Sequence, residues 1–183
     1  MPDQLPTFTF HPDPVATGVV EAREGTCAGC GLDRGWLYAL TPYAQRDLRD
    51  RLCPWCIADG TAAERFGARF TIVEPGDVPE GVPAAVVEAI ATRTPGFAGW
   101  QRERWLFHCG DGAEYLGPVG WDEIEGDEVL VEALLAQAHE QGLEGDLAVA
   151  FVGSLDVDGA ATAYRFRCRV CGTSLGYADT DDD

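Results

Sequence analysis

Stretches in which apolar residues alternate with polar ones are interleaved with stretches where they recur at helical spacing, and this mixture predicts an α+β chain. Thr7-Phe8-Thr9-Phe10 alternates and predicts a short strand before a His11-Pro12-Asp13-Pro14 turn. Residues 18–21 and 35–40 are further strand candidates, 43–52 reads as a short helix, and 56–66 as an Ala-rich helix ending near Gly67. The run from Pro75 to Gly81 carries two prolines and two glycines and is the clearest linker. Beyond it Pro83 opens a helix to about residue 92, with Val86, Val87 and Ile90 on one face, and Thr94-Pro95-Gly96 ends it.

A short helix is expected over 97–104, with Phe97, Trp100 and Trp105 as core anchors. Strands are expected at 106–109 and 114–116 around Gly110-Asp111-Gly112, and helices at 127–141 and 147–155. Ala163-Tyr164-Arg165-Phe166-Arg167-Cys168 alternates strongly and delivers a strand into a turn. The chain therefore divides into an N-terminal part over 1–74, a mixed helical and β part over 75–178, and an acidic tail over 179–183 expected to be disordered and solvated. The fold expected is a treble-clef-like lobe at about 17–70 joined to a small antiparallel sheet with packed helices.

Composition narrows the function classes. The 183 residues are 46% hydrophobic, enough for a genuine core. The 31 acidic residues outnumber 13 basic ones, all Arg, for a formal charge of −18. Such a surface repels phosphate backbones and anionic membranes, which argues against nucleic acid as a partner. Arg165, Arg167 and Arg169 alternate, and are read as balancing nearby carboxylates rather than as a binding patch. No run reaches the roughly 18 apolar residues of a membrane span, and the first residues lack a basic segment followed by an apolar one, so a cytoplasmic location is expected.

The cysteines carry the chemistry. Six of the seven lie in three CxxC pairs: Cys27/Cys30, Cys53/Cys56 and Cys168/Cys171. In a reducing compartment such pairs are metal ligands or redox groups more often than disulfides. The first two pairs are separated by 22 residues, and four thiolates so arranged enclose one tetrahedral zinc with no open position for substrate. Gly31 after Cys30 is the mark of a knuckle, in which unhindered backbone turns its amides towards sulfur, whereas Cys53-Pro54-Trp55-Cys56 runs into a helix whose N-terminus favours thiolate. The competing reading makes Cys53/Cys56 a dithiol redox centre, but the βαβ context of thioredoxin-like chemistry is absent from the residues before it.

Cys168-x-x-Cys171-Gly172 is a second knuckle, and Cys109 is its third ligand if strands 105–109 and 163–168 are neighbours. For a fourth ligand the candidates are His108, Asp111 and the more distant His11. His108 adjoins Cys109 on an expected strand, which turns its side chain to the opposite face, so Asp111 in the turn is the better placed. The same three cysteines also fit plain free thiols. The strand argument equally removes a catalytic Cys/His/Asp group at His108-Cys109-Gly110-Asp111. His139 reads as a solvated surface histidine, and no phosphate-binding, zincin or nucleophile-elbow motif occurs. No catalytic residue is assigned.

Several blocks together resemble the CbrC family of bacterial proteins. They are Phe10 to Gly18, the run Leu52-Cys53-Pro54-Trp55-Cys56-Ile57-Ala58-Asp59-Gly60, Arg93-Thr94-Pro95-Gly96-Phe97, Trp105 to Asp111, and Tyr164 to Gly172. The resemblance spans about residues 7–178. It implies a role in stress or colicin-type toxin tolerance and carries no catalytic residues over. It also implies a further cysteine in relatives shortly after the His-Cys-Gly-Asp block, where this chain has Ala113, leaving its second site incomplete or substituted. The combined expectation is a zinc protein, with one structural site and a second one less complete, acting through an unidentified protein partner; the alternative is a thiol redox or cysteine-dependent enzyme.

Overall fold

The computed structural model describes residues 4–181. It is mixed helix and small antiparallel sheets, as expected, with three buried clusters rather than one continuous core. In the first part, strands β1 (Val20–Ala22) and β2 (Trp36–Tyr38) pair antiparallel, Val20 opposite Tyr38. Helix α1 (Pro54–Ala58) opens on Pro54, and α2 (Thr61–Phe66) follows at once. The single Ala-rich helix expected at 56–66 is broken because Gly60 sits at φ 85°, a left-handed conformation that ends one helix and starts the next. Around these elements Cys27, Cys53 and Cys56 are buried with Tyr38, Leu48, Leu52, Ile57 and Phe70.

The second part begins with α3 (Ala84–Arg93), close to expectation. Strands β3 (Phe107–His108) and β4 (Asp111–Gly112) form a hairpin of their own, joined by Cys109 and Gly110. A three-stranded antiparallel sheet is built from β5 (Glu114–Val119), β6 (Ala161–Arg167) and β7 (Ser174–Thr180), with β6 in the centre. Between β5 and β6 run α4 (Trp121–Ile124), α5 (Glu128–Glu140) and α6 (Asp146–Gly153).

Alternation along β6 separates the other two clusters. Tyr164 and Phe166 join Phe10, Phe97, Trp105, Tyr115 and Tyr177 in an aromatic cluster. Ala163 instead meets Ile124, Leu130, Leu134 and Val152 of the helices. Within the aromatic cluster Phe97 stacks on Tyr115, with ring centroids 4.0 Å apart.

Several expected elements are absent. Residues 7–10 form no strand and bend at Thr9 and Phe10, held by Phe8 and Phe10 side chains in two different clusters. Residues 43–52 form no helix; Tyr43 and Arg69 bridge through reciprocal backbone hydrogen bonds of 2.8 and 2.9 Å instead. Residues 97–104 are irregular, and Trp100 is 48% exposed rather than a core anchor. The strand at 105–109 does not neighbour β6, whose partners are β5 and β7. The acidic end is not wholly free either: β7 continues to Thr180, and buried Asp179 accepts the Gln101 amide at 2.7 Å. Asp182 and Asp183 lie outside the described residues.

Candidate metal centres

The first centre gathers Cys27, Cys30, Cys53 and Cys56, whose sulfurs all lie within 4.8 Å of one another. Cys27 Sγ is 3.7 Å from Cys56 Sγ, and Cys30 Sγ is 3.8 Å from Cys53 Sγ. A zinc–sulfur bond of about 2.3 Å puts the edge of a regular ZnS4 tetrahedron at roughly 3.8 Å, so these separations are the ones such an ion requires.

The local backbone explains how the sulfurs converge. The Gly31 amide donates to the Cys27 carbonyl at 2.8 Å and the Cys27 amide to the Leu32 carbonyl at 2.9 Å, closing a tight turn with Gly31 at φ 75°. Inside the turn, the Gly29 and Cys53 amides point at Cys27 Sγ, at 3.3 and 3.2 Å. A Cβ on Gly29 would stand 2.9 Å from Cys56 Sγ, so only glycine lets the second pair approach. Arg65 donates to the Gly29 carbonyl and ties α2 to the turn.

Negative charge in the cluster settles on Cys27. Its thiol is pulled down to about 4, first by the hydrogen bond from the Cys53 thiol and then by the amides of Cys53, Cys30 and Gly29, against the effect of burial. The Cys53 thiol is pushed up, first by the same bond to Cys27 and then by burial. Burial, with the Cys27 charge, lifts Cys56 to about 12.

The second cluster comprises His108, Cys109, Cys168 and Cys171, again with all four ligand atoms within 4.8 Å. His108 Nδ1 is 3.2 Å from Cys109 Sγ and 3.4 Å from Cys171 Sγ. The expectation that His108 points away from Cys109 is therefore wrong. Cys109 has left the strand: at φ 51° it is the first residue of a two-residue turn whose second is Gly110 at φ 73°. Left-handed geometry at both positions marks the tight hairpin turn, and strand alternation ends there. A two-residue turn ending in Gly, between residues 108 and 111, was the sequence signal that could have revealed this.

The rival fourth ligands are committed elsewhere. Asp111 is held by Arg169 at 2.5 Å and accepts the Gly112 amide at 2.8 Å. His11 is buried between the Pro95 carbonyl, 2.8 Å from Nδ1, and Thr17 Oγ1, 2.7 Å from Nε2. Ala113 is a buried residue whose carbonyl accepts the Trp105 indole N–H at 3.0 Å. The alternating arginines are paired as expected: Arg165 with Asp127 and Arg167 with Glu114, each at 2.7 Å, and Arg169 with Asp111. His139 is exposed.

The chain aligns over residues 5–180 with the uncharacterised protein family UPF0167. It belongs to that family. The UPF0167 protein of Mycobacterium bovis is 46% identical over 97% of this chain and 95% of its own length, and its Mycobacterium tuberculosis counterpart gives the same figures. The UPF0167 protein of Pseudomonas aeruginosa is 38% identical over 92% of this chain and 93% of its own. No solved structure matches. UPF0167 is thus the family shown, and the CbrC name rests on the motif resemblance alone. Among the described residues no helix is long and apolar enough to cross a membrane.

Proposed function

We propose that this UPF0167 protein is a zinc-binding protein without catalytic activity, CbrC-like, which acts in the cytoplasm through a protein partner in stress or toxin tolerance. The observation that carries the zinc reading is the four-sulfur cluster, with edges of 3.7 and 3.8 Å matched to a ZnS4 tetrahedron. Four thiolates fill the coordination sphere, so the ion would be structural and leave no position for water or substrate.

Burial favours this over thiol catalysis. Cys27, Cys53 and Cys56 are 0–1% exposed, whereas a redox thiol must be reached by its substrate disulfide. A partner rather than a substrate is also consistent with Leu147 and Val149, which α6 leaves 66% and 61% exposed on an otherwise strongly acidic chain.

The test is metal analysis of protein purified without chelator, with a free-thiol count and an insulin-reduction assay. Bound zinc with unreactive Cys27, Cys53 and Cys56, and no reductase activity, is the expected result. Metal-free protein with a rapidly alkylated Cys53 and turnover of disulfide substrate would replace the proposal with the redox reading.

A further inference from the structure

We propose that His108, Cys109, Cys168 and Cys171 form a second zinc centre of their own, with three thiolates and His108 Nδ1 as fourth ligand, and that its ion exchanges faster than the first. This deepens the zinc reading above but uses none of the same residues.

Three observations carry it. First, the turn at Cys168 repeats the turn at Cys27 bond for bond. The Gly172 amide donates to the Cys168 carbonyl at 2.9 Å, as Gly31 does to Cys27 at 2.8 Å. The Cys168 amide donates to the Thr173 carbonyl at 2.9 Å, as Cys27 does to Leu32 at 2.9 Å. Gly172 and Gly31 share a φ of 76° and 75°. The Val170 and Cys171 amides point at Cys168 Sγ, both at 3.4 Å, as the Gly29 amide does at Cys27. One backbone device that presents two sulfurs to an ion thus occurs twice, on unrelated elements.

Second, the facing pair comes from the β3–β4 turn. With Zn–S of about 2.3 Å and Zn–N of about 2.05 Å, a tetrahedral site has N···S edges of roughly 3.5 Å. The 3.2 and 3.4 Å separations from His108 Nδ1 to Cys109 and Cys171 approach that value. Third, Cys109 is a non-glycine residue in left-handed geometry, which costs energy unless something rewards the placement of its side chain. Asp111, the other nearby ligand type, is already neutralised by Arg169, whose guanidinium also lies over the Phe10 ring at 5.1 Å. That contact fastens the second knuckle to the hairpin.

The two centres differ in shielding. Three of four ligands are buried at the first; only Cys168 is buried at the second, while Cys109 and Cys171 are exposed. An incoming ligand meets two exposed sulfurs at the second ion but only that of Cys30 at the first.

The experiment is zinc quantification plus competition with an excess of a chromogenic chelator on the full chain. Wild type is expected to hold two zincs and to release them in two phases of one equivalent each. His108→Ala should lose the fast phase, with at least a tenfold weaker second site. His108→Cys should restore it, and its Co2+ derivative should shift from the ligand-field spectrum of a mixed sulfur and nitrogen site to that of an all-thiolate site. Asp111→Asn should keep both ions. If His108→Ala does not fold, the wild-type release curve and His108→Cys decide. One zinc in wild type with Cys109 and Cys171 freely alkylated overturns the proposal, as does zinc lost in Asp111→Asn but retained without His108. Release of both ions in a single slow phase overturns the exchange. One zinc held at the second cluster while Cys27 and Cys30 are alkylated would instead refute the function proposed for the first.

Discussion

At the residue scale the chemistry of this chain depends on a few side chains whose roles come from their surroundings. His11 illustrates this: as a motif residue it was a distant ligand candidate, but Nδ1 must donate to the Pro95 carbonyl, leaving Nε2 to accept from Thr17. Burial lowers its pKa to about 4, against the Pro95 bond and the Asp13 charge, which raise it. The unfolded chain therefore takes up a proton near pH 6.5 that the folded chain refuses until about 4. The stability this represents, about 3 kcal/mol, is complete above pH 6.5 and is lost as pH falls towards 4. NMR of the imidazole should show one neutral Nδ1–H tautomer from pH 8 down to 5.5; titration near 6.5 would refute it. Gly29 is the second case. Gly29→Ala places a methyl 2.9 Å from Cys56 Sγ and, if an ion is held there as proposed, should reduce bound metal and melting temperature together. Full metal content with wild-type stability would show that the pair has room to shift. Neither role was visible in sequence, because both depend on neighbours more than 25 residues away.

At the element scale, what the sequence made legible was periodic or punctuated. The helices α3 and α5, the strand β6 and the glycine-closed knuckles follow from local pattern and turn chemistry. Residues 43–52 and 97–104 have helix-compatible composition but spend their side chains on distant partners: Leu48 and Leu52 enter the first cluster, and Phe97 enters the aromatic one. Tertiary packing overrode weak propensity there. The start of α5 shows a local signal with a tertiary purpose. Asp127 accepts the Leu130 amide at 3.2 Å as the helix cap, and also takes Ser174 at 2.6 Å and Arg165 at 2.7 Å. One carboxylate thus joins α5 to β6 and β7. Its pKa is held below the usual range although burial pushes the other way, because these bonds outweigh it. Asp127→Ala removes the cap and strands Arg165, so a loss of about 2 kcal/mol is expected in denaturant unfolding, with Asp127→Asn in between. A change below about 0.5 kcal/mol would mean that water replaces all three partners.

At the scale of the whole molecule, the distribution of the cysteines predicts how the fold fails. Three sulfurs of the first centre belong to the cluster formed by Tyr38, Leu48, Leu52, Ile57 and Phe70, whereas neither cluster flanking the β5–β6–β7 sheet contains any of the four. Among the described residues the first part has two three-residue strands and two helices of five and six residues, little secondary structure to hold that cluster unless an ion cross-links it as proposed. The sheet and its helices bury aromatic and aliphatic side chains on both faces and need no ion for that. Strong chelation under reducing conditions should therefore uncouple the two parts. Amide exchange at Val20, Tyr38, Cys56 and Ile57 is expected to accelerate by orders of magnitude, while Tyr164, Phe166 and Tyr177 keep their protection. The part joining them is polar and specific: Tyr43 donates to the buried Glu103 carboxylate at 3.1 Å. Burial raises the Glu103 pKa, so the folded chain keeps its proton to higher pH than the unfolded chain does, and stability from this group falls as pH rises through that window. Glu103→Gln should consequently gain on wild type as pH rises from the ordinary carboxylate range, in paired melting curves of the two proteins. Loss of protection throughout the chain on chelation would instead mean that both parts unfold as one unit, with the first centre holding the entire fold.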